Sequence, residues 1–222
     1  MAATREGRTP VQWTLVIPLK PLTHAKSRLS DTADEGMRPG LALAFAQDTV
    51  AAALACPAVR DVAVVTDDAL AGRELSALGA RIVADEPGSG LNAALAHAAT
   101  VVRARRRESP LAALNADLPA LRPAELTRVL DAASKFPRAF LADAAAMGTT
   151  LLAAGPSREL RPAFGRHSRS RHRASGAAEL LLDSVDSVRQ DVDTGDDLRA
   201  ALALGVGSHT AAVAARLLIP GQ

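Results

Sequence analysis

Four times in succession, a short apolar run is followed by a longer stretch of helical periodicity. The runs at 13–18, 61–66, 81–84 and 110–115 predict strands, and the stretches at 38–55, 69–78, 91–107 and 121–134 predict helices. Such alternation restricts a chain to βαβ units, because parallel strands need a crossover and a helix supplies it. The run from Asp61 to Thr66 is continuous rather than alternating, as in a sheet buried on both faces. Gly79 stands where a helix would end in a left-handed residue. Pro123 stands in a first helical turn, where its missing N–H costs nothing. A polar loop over 19–36 follows the first strand.

Past Ser134 the rhythm changes. Runs at 139–142 and 149–154 predict a hairpin, and runs at 178–182 and 187–190 predict two further strands, a small mixed β extension of the parallel sheet. Thr194-Gly195-Asp196-Asp197 predicts a helix start, and a last helix is expected over 208–218. The length of 222 residues suits a single domain over 13–222, with residues 1–12 as a disordered tail.

Composition removes several classes of function. Aromatic residues are 2% of the chain, with no Tyr and one Trp, which opposes single-strand nucleic-acid binding by stacking. The lone Cys56 allows no intrachain disulfide and no cysteine metal site, and is expected to be a small buried residue late in a helix. No apolar run approaches the roughly 18 residues of a membrane span, and the first ten residues carry no signal-like stretch. The cytoplasm is the expected compartment, with no membrane or nucleic-acid partner; a homodimer is compatible with the sequence.

The residue out of place is Asp117, in Leu114-Asn115-Ala116-Asp117-Leu118-Pro119. It reads as a carboxylate just past the end of a buried strand, where open α/β sheets carry their chemistry. Asp191 and Asp193, read as strand residues around Val192, would face the same way, and like charges side by side favour a compensating cation. Magnesium takes such ligands, usually one or two carboxylates plus phosphates and water. The alternative is an edge-strand acidic pair with helix capping by Thr194 and Asp196, and Asp196 and Asp197 are assigned to the helix start.

Three further groups could meet this acidic cluster. Lys20, Lys26 and Arg28 lie on the loop after the first strand, where cationic donors could grip a triphosphate; a solvated basic loop is the alternative. Asp85-Glu86-Pro87-Gly88-Ser89-Gly90-Leu91-Asn92 places two glycines before a helix, allowing close approach of a ligand. There Asn92 could touch ribose or base, and Asp85 or Glu86 could accept from guanine; an ordinary turn is the alternative. Thr66-Asp67-Asp68 could line the same crevice or form a plain turn. Gly148-Thr149-Thr150 with Phe164-Gly165-Arg166-His167-Ser168 could form an anion nest, aided by Arg166, Arg169, Arg171 and His172. The arginine-rich segment 161–173 is equally compatible with a mobile basic surface loop. His24, His97 and His209 are expected at the surface, without zinc-ligand spacing.

In order, Pro18-x-Lys20, Ala25-Lys26-Ser27-Arg28-Leu29, Gly90-Leu91-Asn92, Ala116-Asp117-Leu118-Pro119, Gly148-Thr149-Thr150, Phe164-Gly165-x-x-Ser168 and Asp191-Val192-Asp193-Thr194 resemble the guanylyltransferases of deazaflavin coenzyme (F-420) biosynthesis. The resemblance spans about 13–204. It implies a three-layer α/β/α nucleotidyltransferase fold of the glycosyltransferase-A type. It further implies that Asp117, Asp191 and Asp193 hold magnesium, and that Lys20, Thr150 or Thr149, Gly165 and Ser168 cradle a small phosphorylated carboxylic acid. Lys26 and Arg28 would contact the phosphates of GTP, with Gly90, Leu91 and Asn92 also on the nucleotide. The reaction implied is transfer of GMP from GTP to phosphoenolpyruvate, 2-phospho-L-lactate or 3-phosphoglycerate. The arginine- and alanine-rich composition, associated with high-GC genomes, favours phosphoenolpyruvate. One departure is the extra basic charge after Ser168. A non-catalytic nucleotide-binding module on the same fold is the alternative of another class.

Overall fold

Successive residues of each central strand enter opposite hydrophobic layers, so both faces of the sheet are covered. In the computed structural model, residues 11–24, 29, 36–86 and 88–217 are described. Among them β1 (Trp13–Pro18), β2 (Val59–Val65), β3 (Arg81–Val83), β4 (Leu111–Leu114), β5 (Arg138–Ala142), β6 (Thr149–Ala154) and β7 (Ala178–Glu179) form one sheet in the order 3-2-1-4-6-5-7. β1 pairs in parallel with β2 and β4, and β2 with β3. β6 lies antiparallel to both β4 and β5, and β7 is parallel to β5. β6 alone therefore runs against the rest, which is the mixed extension expected from the hairpin.

The helices are α1 (Arg38–Leu54), α2 (Ala69–Ala77), α3 (Leu91–Arg105), α4 (Pro123–Ala133), α5 (Ser168–Ala174), α6 (Asp186–Arg189), α7 (Gly195–Leu204) and α8 (Ser208–Leu217). On one face Leu15, Ile17, Leu114 and Leu151 pack with Val50 of α1, Leu75 of α2 and Leu130 of α4. On the other, Val16, Ala113 and Leu152 pack with Leu95 and Val102 of α3 and with Phe164. A third cluster joins Leu41 and Phe45 of α1 to Val192 and to Leu198 of α7. The result is the expected three-layer α/β/α arrangement. Gly79 ends α2 at φ +107°, a conformation that favours glycine. No helix among the described residues is long and apolar enough to cross a membrane.

Three expectations are corrected. The strand expected over 187–190 is the helical turn α6. Val185 and Val188 are both buried at helical spacing, and Ser187 gives its N–H and hydroxyl to the Glu125 carboxylate at 2.9 and 2.8 Å. The strand expected over 178–182 shortens to β7. The segment 161–173 is no loose loop, since it carries α5. Arg169 and Arg173 of that helix both pair with Glu179 of β7, anchoring it to the sheet edge. Cys56 is buried just beyond α1, its sulfur 3.2 Å from the Thr127 hydroxyl.

Candidate functional site

Strand order reverses direction between β1 and β4, so the crossovers on either side leave a crevice at the carboxyl ends of these two strands. A cavity of about 880 Å³ opens there. Lys20 reaches it from the exit of β1, and Asn115, Ala116 and Asp117 from the exit of β4.

The turn carrying Asp117 is held from two sides, by Thr49 and by Val192. The Thr49 hydroxyl, fully buried on α1, lies 3.2 Å from the Ala116 carbonyl and accepts from the Leu118 N–H at 3.0 Å. The Asp117 carbonyl accepts from the Val192 N–H at 3.1 Å, which draws in a segment distant in sequence. Val192 is fully buried between α1 and α7, so its neighbours Asp191 and Asp193 turn outward and line the same cavity. The expectation of a strand here is corrected: residues 191–193 are irregular backbone, yet alternation around a buried valine gives the same facing. The Asn115 amide reaches Asp191 Oδ2 at 3.4 Å. Downstream, Thr194 caps α7 in a capping box with Asp197, so Asp197 serves the helix start.

Asp117, Asp191 and Asp193 thus share one wall. No group of three or more His, Cys, Asp or Glu side chains among the described residues is arranged to hold a metal ion by itself. The donors are all oxygen, the choice of a hard cation, and magnesium needs only one or two carboxylates when phosphates and water complete its shell. The residues present fit a cation that arrives with a phosphorylated ligand better than a resident one.

The facing wall comes from the β5–β6 turn and the residues before α5. β5 and β6 lose register so that Leu141 faces Leu151 while Ala142 faces Thr149, leaving Thr150 as an unmatched bulge residue. Bulges re-aim side chains. Here Thr149 lines the cavity, whereas Thr150 is fully buried and off the wall. The expected nest at Gly148 is already filled, since the Asp143 carboxylate accepts from the N–H groups of Met147 and Gly148 at 2.9 and 2.7 Å. A Cβ at Gly148 would overlap that carboxylate. Gly165, at φ +110°, and Ser168 complete the wall with Arg166 and His167.

The other expected helpers are employed structurally. Arg171 donates to the Phe164 carbonyl at 3.0 Å, and Arg169 pairs with Glu179. Burial pulls the Glu179 carboxyl upward, but the hydrogen bonds from Arg173 and Arg169 outweigh it and hold it below its ordinary range. His172 is fully buried and takes no part in an anion nest. Its Nε2 accepts from the Ala163 N–H and its Nδ1 meets the Thr149 hydroxyl, both at 3.0 Å. Burial, then Arg138 and Arg171, pushes its pKa down to about 4.

At the start of α3, Leu91 lines the cavity while Gly90 and Asn92 do not. The Asn92 amide is used at both ends on the Phe164 backbone, donating at 3.1 Å and accepting at 2.7 Å, so it positions Phe164 rather than touching a ligand. Asp67 accepts from the Asp85 N–H at 2.9 Å, and Glu86 lies 4.0 Å from His97. Asp68 caps α2 and also accepts from Leu22 at 2.9 Å, so 66–68 is a structural turn. Burial opposes its charge, but the backbone donors of Ala71, Leu22 and Leu70, with Arg73, hold its carboxyl low. Lys26, Arg28 and Pro87 lie outside the described residues. Sequence reasoning missed Asn115, Asp143 and Thr49. The only signal for Asn115 was its place beside Asp117, and nothing marked the other two.

A family model described as guanylyl transferase CofC like matches residues 13–219. The chain is similar to a phosphoenolpyruvate guanylyltransferase of Streptomyces coelicolor, 80% identical over 212 residues that cover 96% of this chain and 100% of that one. It is similar to another of that name from Thermomonospora curvata, 57% identical over 217 residues, 98% and 95% of the two chains. Among solved structures, a Methanothermobacter nucleotidyl transferase superposes with a TM-score of 0.63 at 23% identity, over 87% of this chain and 97% of that one, a likeness of fold.

Proposed function

This chain belongs to the CofC-like family of guanylyl transferases, and from that premise we propose that it transfers GMP from GTP to phosphoenolpyruvate, in coenzyme F-420 biosynthesis. The products are enolpyruvyl-diphospho-5'-guanosine and pyrophosphate. The observation that carries this reading is one cavity lined by two unlike sets of residues: Asp117, Asp191 and Asp193 with Lys20, and Thr149, Gly165 and Ser168 beside Asp143, whose carboxylate is engaged by the Met147 and Gly148 N–H groups.

The acceptor phosphate is already an anion, so its oxygen needs no general base to attack the α-phosphorus of GTP. The new bond forms from that oxygen to the α-phosphorus. The bond from the α-phosphorus to the α–β bridging oxygen breaks, and the electron pair leaves with pyrophosphate. What opposes the step is repulsion between two polyanions, and catalysis is therefore alignment and charge compensation. Lys20 supplies positive charge at the wall that also carries the acids. Thr149 and Ser168 offer hydroxyls to the acceptor, and the free conformation of Gly165 lets its backbone approach closely. Lys26 and Arg28 are assigned to the leaving pyrophosphate.

Carboxylates beside a triphosphate would add to the repulsion unless a cation lies between them. Asp117, Asp191 and Asp193 would hold magnesium, which when bound supplies Lewis-acid neutralisation of phosphate charge. Asp117→Asn keeps shape and removes charge, so it is expected to fold and to lose at least roughly 100-fold in turnover, the scale of one lost electrostatic contact. Pyrophosphate release measures this, and near-normal turnover would overturn the assignment. Product mass with phosphoenolpyruvate, 2-phospho-L-lactate and 3-phosphoglycerate in turn checks the acceptor, the first alone being expected to react efficiently.

A further inference from the structure

We propose that His172 is a positioning residue that aims the Thr149 hydroxyl hydrogen into the cavity and thereby sets affinity for the phosphorylated acceptor.

One imidazole links Thr149 to the backbone of Ala163. His172 is fully buried. The Ala163 N–H donates to Nε2 at 3.0 Å, so Nε2 must present its lone pair. A neutral ring carries one proton, and it must then sit on Nδ1. Nδ1 lies 3.0 Å from Thr149 Oγ1, so the imidazole donates and the threonine oxygen accepts. A hydroxyl that accepts from one side has its own hydrogen to give elsewhere, and Thr149 lines the cavity. The ring cannot readily turn over to reverse these roles. Phe164 packs edge-on at 5.1 Å between centroids and Phe140 lies tilted at 5.8 Å. The bulge at Thr150 turns Thr149 toward this side of the sheet, where the imidazole waits. The same ring therefore joins Thr149 of the β6 wall to the 163–165 segment that carries Gly165, beside the Arg169 contacts to Ala146 and Met147 that tie the β5–β6 turn to the start of α5.

This inference rests on the reading that the acceptor sits against Thr149, Gly165 and Ser168, and the test separates the two. His172→Gln can still accept from Ala163 through its amide oxygen but no longer places a donor at the Nδ1 position. His172→Asn places an N–H near Nδ1 and so restores the donor to Thr149. Steady-state kinetics are measured for both, for Thr149→Val and for the His172→Gln/Thr149→Val pair, with KM for GTP as the internal control. His172→Gln is expected to raise KM for phosphoenolpyruvate about fivefold, the scale of one neutral hydrogen bond, with KM for GTP unchanged. His172→Asn is expected to recover most of it. In the Thr149→Val background His172→Gln should add nothing, since the hydroxyl it orients is gone. Equal rises in both KM values, additive effects in the pair, or a worse result with Asn than with Gln overturns the proposal. If Thr149→Val leaves KM for phosphoenolpyruvate unchanged, the acceptor lies elsewhere and the reading itself falls. If Thr149→Val raises it and His172→Gln does not, only the role of His172 falls. Nitrogen NMR of the wild-type ring reads the tautomer without any variant, and a proton on Nε2 also overturns the proposal.

Discussion

A buried neutral imidazole makes the fold sensitive to acid in a defined window. The pKa of His172 is moved from its ordinary 6.5 to about 4, by burial first and then by Arg138 and Arg171. Between those values the unfolded chain takes up a proton that the folded chain refuses, so stability falls as pH falls from 6.5 toward 4. Above 6.5 both states are neutral, and below 4 both are charged, so the group contributes no slope outside the window. Glu179 acts lower down, because its folded carboxyl titrates below its ordinary 4.5 and its contribution is lost only as pH falls through that depressed value. Urea midpoints at pH 7, 6 and 5 are therefore expected to fall more steeply for the wild type than for His172→Asn. Parallel profiles would show that some other group titrates. At this scale the sequence was legible only where a residue contradicted its neighbours. Asp117 ends an apolar run before a proline, and that conflict was visible. Nothing local separates His172 from the surrounding arginines, because its partners are the Thr149 hydroxyl, 23 residues away, and a backbone N–H at Ala163, which carries no side-chain signal.

Elements were legible where their burial is periodic along their own sequence and illegible where it depends on a partner. β1 and the helices α1 to α4 answer to apolar spacing, whereas α5 is held by Glu179 and α6 by Glu125. α8 was expected over 208–218 and is found at Ser208–Leu217, but the group that caps its start was not legible. Asp48 of α1, only 6% exposed, accepts from the N–H groups of His209 and Thr210 at 3.1 and 2.8 Å and meets His209 Nδ1 at 3.0 Å. It is thus a helix cap supplied from another helix. Expected at the surface, His209 is half-buried and tied to this acid. Asp48→Ala strands those donors and is expected to cost about 1–3 kcal/mol, read as a lower urea midpoint, with Asp48→Asn less affected because one oxygen remains. Gly207→Ala should be as damaging as Asp48→Ala, since a Cβ there would overlap the Asp48 carboxylate. A Gly207→Ala protein with the wild-type midpoint would show that α8 can shift at little cost.

For the molecule as a whole, the order 3-2-1-4-6-5-7 decides which distant segments become neighbours. The rhythm of runs and helices implied a parallel sheet but not its order, because register and neighbour choice come from packing between elements. The crevice therefore borrows one wall from the exits of β1 and β4 and the other from the β5–β6 turn and the residues before α5. A ligand that touches both walls ties together parts of the fold far apart in sequence, and its binding should appear as global stability. At a free concentration 100 times its Kd, a ligand adds about 2.7 kcal/mol. For a domain of this size each kcal/mol raises Tm by roughly 2–4 °C, so saturating GTP with magnesium should raise Tm by roughly 5–10 °C. Because the acidic wall repels a bare triphosphate, chelation of magnesium by EDTA should abolish most of that shift. Replacing Asp191 and Asp193 together by Asn removes two of the three carboxylates, so GTP should then stabilise to nearly the same degree with or without the metal. A wild-type shift with GTP that survives EDTA undiminished would mean that the acids face something other than a cation-bound triphosphate, and the orientation assigned to both substrates would have to be reversed.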